Sequence, residues 1–228
     1  MALIGVITAL QTEANSLGLL ADEKDVLTIV SGIGAEAATR SASSLCQHGC
    51  SGLISFGYAG ALNSSYKTGT LLVGNSVSNG HTTIDLGSHW LNKFTDAVRE
   101  ECQLPFHLTP ILTSAFPLIN KYQKTTQTTK GHWGAVDMES YPIAQVASKY
   151  RIPTLIVRAI LDELDTDIPE SAMRMIDLNG KQKVLPTIYQ IAKKPYHLVR
   201  YFQLAKARKK ANETLGRVAP IVGRSRPP

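Results

Sequence analysis

Three carboxylates stand just past apolar runs that read as buried strands. Glu13 follows "LIGVIT" by a few residues, Glu139 follows "GAVDM", and Asp162 follows "TLIVRAI" in "RAILDELD". A buried carboxylic acid can hand over a proton, and a carboxylate can take one from water or sit against developing positive charge. Taken singly, each also has a plain reading, because an acid near a helix N-terminus is favoured by the helix dipole. Their shared placement at one edge of a sheet is what raises them as a group. In "GAVDMES", Asp137 and Glu139 bracket Met138; Glu139 is the candidate for chemistry, and Asp137 is expected to shape the turn into the next helix. Two glycine pairs add to the set. "SGIGAEAA" (31–38) carries Gly32 and Gly34, and "FGYAGAL" (56–62) carries Gly57 and Gly60. Both are expected as strand-to-helix turns whose N–H groups approach an anion, a sugar or a water. Neither matches a dinucleotide or nucleoside triphosphate fingerprint.

The elements that must position these residues alternate along the chain. "LIGVIT" (3–8), "VLTIV" (26–30), "GLISFG" (52–57), "TLLVG" (70–74) and "TLIVRAI" (154–160) are rich in Val, Ile and Leu between Gly, Pro or polar residues, as buried strands are. "AEAATRSASSLCQHG" (35–49) has helical spacing and a stop at Gly49, and "SYPIAQVASKY" (140–150) has Ser140 and Pro142 as start signals. This order predicts an α/β fold, a single domain with a mixed, largely parallel central sheet flanked by helices. Ligands in such folds gather at the carboxyl ends of the strands.

At 228 residues, 43% of them hydrophobic, the chain suits one well-filled core. The start has no basic residue before its apolar run, and no apolar run reaches 18 residues, so neither a secretory signal nor a spanning helix is expected. Three cysteines suit a reducing cytoplasm. Cys46 and Cys50 flank His48 with no second cluster to complete a tetrahedral site; they read as a buried helix end, and no metal is expected. The net charge of +6 is uneven: residues 1–192 carry −3 and residues 193–228 carry +9. We therefore divide the chain into a main α/β domain, 1–192, and a basic amphipathic helix and tail, 193–228. In that tail Leu198, Tyr201, Phe202 and Ala205 recur on one helical face, with Arg200, Lys206, Arg208, Lys209 and Lys210 largely off it. Three fates compete for this helix: packing on the body or a second subunit, a nucleic-acid arm, and contact with an anionic lipid surface. No recognition module accompanies it, so nucleic acid is not expected.

Together "GVITALQTEA", "SGIGAEAA", "FGYAGAL", "AVDMES" and "VRAILDELD" resemble the nucleoside phosphorylase and nucleosidase superfamily, in its order and over about residues 1 to 180. The 23 residues between Glu139 and Asp162 agree with that family's spacing. The resemblance implies that Glu13 activates the attacking water and that Asp162 protonates purine N7. It implies that Met138 and Glu139 hold the ribose, with Phe116 stacking on the base and Tyr58, Ala59 and Gly60 lining the site. No cofactor is implied. Two residues depart from the pattern, Leu161 where many relatives have serine and Tyr58 where they have a small hydroxyl residue. Both concern substrate identity more than reaction type. Arginines are the usual holders of a phosphate dianion, and the first loop and "LISF" contain none. Arg40 lies on a helix from which it could reach a site across a subunit boundary, and Arg158 lies mid-strand. Water is thus the expected nucleophile.

With the tail, the chain most resembles the hopanoid-associated branch, which implies adenine release from lipid-linked adenosylhopane. The alternatives are a methylthioadenosine/S-adenosylhomocysteine nucleosidase, a phosphate-dependent phosphorylase and an idle purine-binding protein. A homo-oligomer, a dimer first, is implied, as is a cytoplasmic place at the inner face of the membrane through residues 195–210.

Overall fold

The computed structural model describes residues 2–18, 24–168 and 198–227 of the chain. Eight strands form one sheet: β1 (Ile4–Thr8), β2 (Val26–Val30), β3 (Gly52–Ala61), β4 (Leu71–Ser78), β5 (Thr83–Asp85), β6 (Phe106–Thr113), β7 (Ala135–Asp137) and β8 (Thr154–Asp162). Helices α1 (Gln11–Asn15), α2 (Ala35–Gln47), α3 (His89–Ala97), α4 (Lys121–Thr128), α5 (Ser140–Tyr150) and α6 (Leu198–Arg224) accompany them.

The strand order is β2-β1-β3-β7-β6-β4-β5, and β8 pairs with both β3 and β4. Strands β3, β7, β6, β4 and β8 therefore close on themselves as a five-membered ring. Five of the pairings are parallel and three antiparallel, so the sheet is mixed and largely parallel as expected. Apolar side chains leave both faces. On one, Ile54, Phe56 and Val157 meet Trp90 and Phe94 of α3 and Leu215, Val218 and Val222 of α6. On the other, Ile7 and Leu53 meet Leu45 of α2 and Ile143 and Val146 of α5.

Two expectations are corrected. "FGYAGAL" is not a strand-to-helix turn, because β3 runs unbroken through Gly57 and Gly60 to Ala61. Its glycines make room for carboxylates above the strand, as the site below shows. The C-terminal helix does not pack by the Phe202–Ala205 face, since Phe202 is 68% exposed and Ala205 is also exposed. Packing begins at Ala211 and continues through Leu215, Val218, Ala219, Ile221 and Val222, all buried. The expected helix start at Pro195, the 192/193 boundary and the side chains of Leu198, Arg200 and Tyr201 lie outside the described residues. No helix among the described residues is long and apolar enough to cross a membrane.

Candidate active site

Strand β3 changes partners halfway along one edge. Its pairing with β1 ends at Ser55, and its pairing with β7 begins at Gly60. The backbone between them needs another partner. Tyr58 N–H finds it in Glu13 Oε1, at 2.8 Å. The same carboxylate accepts the N–H groups of Ala9 and Leu10 on Oε2, both at 2.8 Å. Glu13, the third residue of α1, thus caps its own helix and plugs the fork between β1 and β7. Room for it comes from Gly57, where a methyl would stand 2.3 Å from Oε1. Burial pushes the Glu13 carboxyl above its ordinary pKa, against the charge of Arg158 and the three N–H donors.

Glu139 enters from the β7–α5 junction. Its Oε1 accepts the N–H of Gly34, at 2.8 Å, where α2 begins. Gly34 has φ 98°, a conformation that suits glycine, so "SGIG" is the turn expected from the sequence. Burial, reinforced by Asp137, pushes Glu139 up to about 8, while the Gly34 N–H pulls the other way.

Asp137 does more than shape a turn. It is buried, accepts Thr113 Oγ1 at 2.7 Å, and pairs with Arg158 through Nε and a second nitrogen, both at 3.0 Å. Arg158 continues to the hydroxyls of Ser55 and Ser140 at 2.5 and 2.8 Å. The Arg158 charge bears on both Glu13 and Glu139, and the network ties β3, β6, β7, β8 and α5 together at the junction that carries Glu139. Arg40 instead is exposed and pairs with Glu36 four residues earlier.

Asp162 ends β8, and its aim depends on an irregularity in pairing. Ala59 pairs with Ile160 but Gly60 pairs with Asp162, so Leu161 is skipped. Such a bulge re-aims the residue that follows it. Asp162 lies over Gly60, where a methyl would stand 2.9 Å from Oδ2. Lys124 of α4, fully buried, reaches Asp162 Oδ2 at 2.5 Å. Burial raises the Asp162 pKa, and the Lys124 charge opposes that rise.

Glu13, Glu139 and Asp162 line one pocket with Met138, Tyr58, Ala59, Gly60 and Phe116, so the eight residues expected to catalyse or to hold the ligand share it, while Arg40 does not reach it. Asp137 also reaches it, and Leu10, Ile33, Pro117, Leu118, Leu161 and Ile168 make most of the remaining wall. Phe116 sits at the rim, 77% exposed. Among the described residues no basic side chain lines the pocket. Tyr58 faces partly away from it: burial pushes its phenol up to about 12, and its hydroxyl donates to Asn212 of α6, which also accepts the hydroxyl of Ser16, just after α1, at 2.9 Å. Lys124 and Asn212 were not anticipated. Each lies in a polar helical stretch, "NKYQKTTQ" and "KKANETLG", where no apolar rhythm marks a single inward residue.

Chemically, the pocket offers one carboxylate set in a cage of N–H groups, one buried carboxyl at a helix start, and one carboxyl beside an ammonium. That inventory suits water activation, hydroxyl binding and proton delivery around an apolar-walled ligand.

A family model described as "Phosphorylase superfamily" matches residues 12–194. No curated protein sequence matches the chain. Among solved structures, futalosine hydrolase of Helicobacter pylori superposes with a TM-score of 0.71 at 17% identity, covering 96% of this chain and 97% of that one. A 5'-methylthioadenosine/S-adenosylhomocysteine nucleosidase from Neisseria meningitidis gives 0.75 at 15% identity, covering 98% and 100%. A putative nucleosidase of the same kind from Francisella philomiragia gives 0.73 at 16% identity, with 98% and 100% covered. At these identities the likeness is one of fold.

Proposed function

The chain belongs to the phosphorylase superfamily, and from that premise we propose that it is a nucleosidase that cleaves the N-glycosidic bond of an adenosine-type nucleoside with water. One observation carries this reading: Glu13, Glu139 and Asp162, from three separate elements, line a single pocket that contains no basic side chain among the described residues. Breaking the bond builds positive charge on the ribose, and a carboxylate nearby lowers that barrier. Glu139 takes the ribose hydroxyls. Glu13 receives a proton from water, and its raised pKa makes it a better base. Asp162 gives its proton to N7 of the departing adenine. Among the described residues a phosphate dianion would meet four carboxyls here and no arginine, which is why water is the favoured nucleophile.

The finer reading is that the substrate carries a large apolar group on the ribose, with adenosylhopane as the candidate. Leu10, Ile33, Leu161 and Ile168 support it, since each fully buried aliphatic side chain is worth roughly 1.5–3 kcal/mol against an apolar partner. The exposed Phe202, beside exposed Lys206 and Lys209 on α6, supports contact with an anionic lipid surface. Truncating the tail would strip Leu215, Val218 and Val222 from the core. Co-sedimentation with anionic vesicles is therefore compared between wild type and the K206E/K209E variant. Equal binding removes the membrane contact from the proposal. Self-association as a dimer is part of the same reading and is checked by sedimentation velocity.

The decisive assay is adenine release from adenosylhopane beside methylthioadenosine and S-adenosylhomocysteine, each with and without phosphate. The expected result is release without phosphate, fastest from adenosylhopane. A phosphate requirement and a sugar 1-phosphate product overturn the hydrolytic reading. Preference for methylthioadenosine overturns only the substrate.

A further inference from the structure

Among the described residues Lys124 is the one lysine in the set of largest fully buried side chains, with no exposed surface. Burying an ammonium costs several kcal/mol, and a buried ion pair is weak evidence for stability. Its placement therefore calls for another reason. Among the described residues, the partners of its ammonium all belong to the chain just after β8 or to the strand's last residue. Lys124 Nζ lies 2.5 Å from Asp162 Oδ2, 2.6 Å from the Glu163 carbonyl oxygen and 3.2 Å from that of Thr166. Those three contacts match the three N–H donors of an ammonium.

The same helix start is stitched to the same segment at other points. Ile168 N–H donates to the Ile119 carbonyl at 2.7 Å, and Lys121 N–H donates to Asp167 Oδ1 at 3.2 Å. Immediately before it lie Phe116, Pro117 and Leu118, which form part of the pocket wall. The chain that carries that wall thus also grips the proposed acid.

Resting on the nucleosidase reading, we propose that Lys124 is a positioning residue for Asp162, holding Oδ2 so that Oδ1 faces the departing base, and setting the strength of the acid. In the step itself the Asp162 O–H bond breaks as the N7–H bond forms. The electron pair of the glycosidic bond passes to the base. Asp162 is left as a carboxylate already paired with an ammonium. Without Lys124, the buried carboxyl would hold its proton more tightly and release it later.

Other charges around the pair have their own partners or lie apart. Glu163 pairs with Lys67 at 3.1 Å, and Lys121 pairs with Asp165 at 2.8 Å. Asp167 accepts the Lys121 N–H. From α6, the stem of Lys210 lies on Gly69. Glu13, Asp137 and Glu139 occupy other walls of the pocket, and Glu13 is expected to set the acidic limb of a pH profile.

The test is the pH dependence of adenine release, measured for wild type, K124M, K124Q and K124R, with D162N as reference. Loss of the charge in K124M and K124Q moves the alkaline limb up by about one unit or more, because a neighbouring opposite charge shifts a carboxyl by roughly 1–3 units. Turnover at neutral pH falls on the order of a hundred-fold, with KM little changed. K124R keeps the wild-type limb. The glutamine variant retains a donor for the Glu163 carbonyl and serves should K124M not fold. An unmoved limb in a folded K124M or K124Q overturns the proposal, as does a loss that only tracks the melting temperature. If D162N keeps full activity, the nucleosidase assignment of the acid fails first. If D162N is inactive and the limb stays put, Lys124 alone is wrong.

Discussion

Glu13 and Gly57 occupy the same space. The glycine has no side chain where the carboxylate stands, and a methyl there would come within 2.3 Å of Oε1. Gly57 does not have positive φ, so alanine is conformationally acceptable and the conflict lies with Glu13 alone. G57A is expected to push the carboxylate out of its cage of N–H groups and cut kcat on the order of a hundred-fold. Steady-state kinetics together with a melting curve check it. A variant with wild-type kcat would show that Glu13 has no fixed place in the reaction.

The proposed assignment gives Asp162 and Glu13 different tasks, so their variants should fail differently. D162N is expected to lose at least about a hundred-fold in adenine release while still binding substrate, because the amide has no acidic proton to transfer. The loss should be smaller for a nucleoside whose base leaves without protonation. E13Q should lose activity on both kinds of substrate. Parallel losses for the two variants on the two substrates would contradict this assignment.

Glu139 makes stability depend on pH. Its carboxyl sits at about 8 in the folded protein against an ordinary value of 4.5. Between those values the native state keeps a proton that the unfolded chain has released. Stability from this group is therefore complete below about 4.5 and is lost as pH rises toward 8. In urea titrations at pH 5, 6.5 and 8, E139Q is expected to gain on wild type by more than about 1 kcal/mol across the series. Parallel curves would mean that the carboxyl is ionised throughout.

Arg158 and Asp137 form a buried pair with side chains 4% and 1% exposed. Removing one partner leaves an uncompensated charge, so R158M is expected to destabilise the fold by about 3–5 kcal/mol. Changing Asp137 as well, in R158M/D137L, should recover part of that loss. Denaturant unfolding of both variants measures it, and a near-neutral R158M would show that the pair is not held as a pair.

Much of this is legible in the amino-acid sequence. Strands buried on both faces show as continuous apolar runs, and β1, β8 and the first half of β3 do so; β2, a half-buried edge strand, is apolar but for Thr28. Strand β7 is three residues long, and β6 contains Pro110 opposite a register shift in β4, so neither displays a strand's pattern. Acids at strand ends stood out because polar residues interrupt apolar runs there. Lys124 did not, since a lysine in a polar helix usually faces water. The second half of β3 was misread because glycine signals a turn more often than it signals space kept for a neighbour's side chain.

The skipped pairing at Leu161 has a consequence for how this pocket can change over time. In a regular ladder, altering one residue disturbs the alignment of its neighbours. Here Leu161 has no strand-to-strand partner in the β3 ladder, while Asp162 beside it is fixed by Gly60 and Lys124. The two positions are adjacent in the chain yet mechanically decoupled. A lineage can therefore exchange residue 161 to admit a different ligand while the carboxyl proposed as proton donor keeps its place.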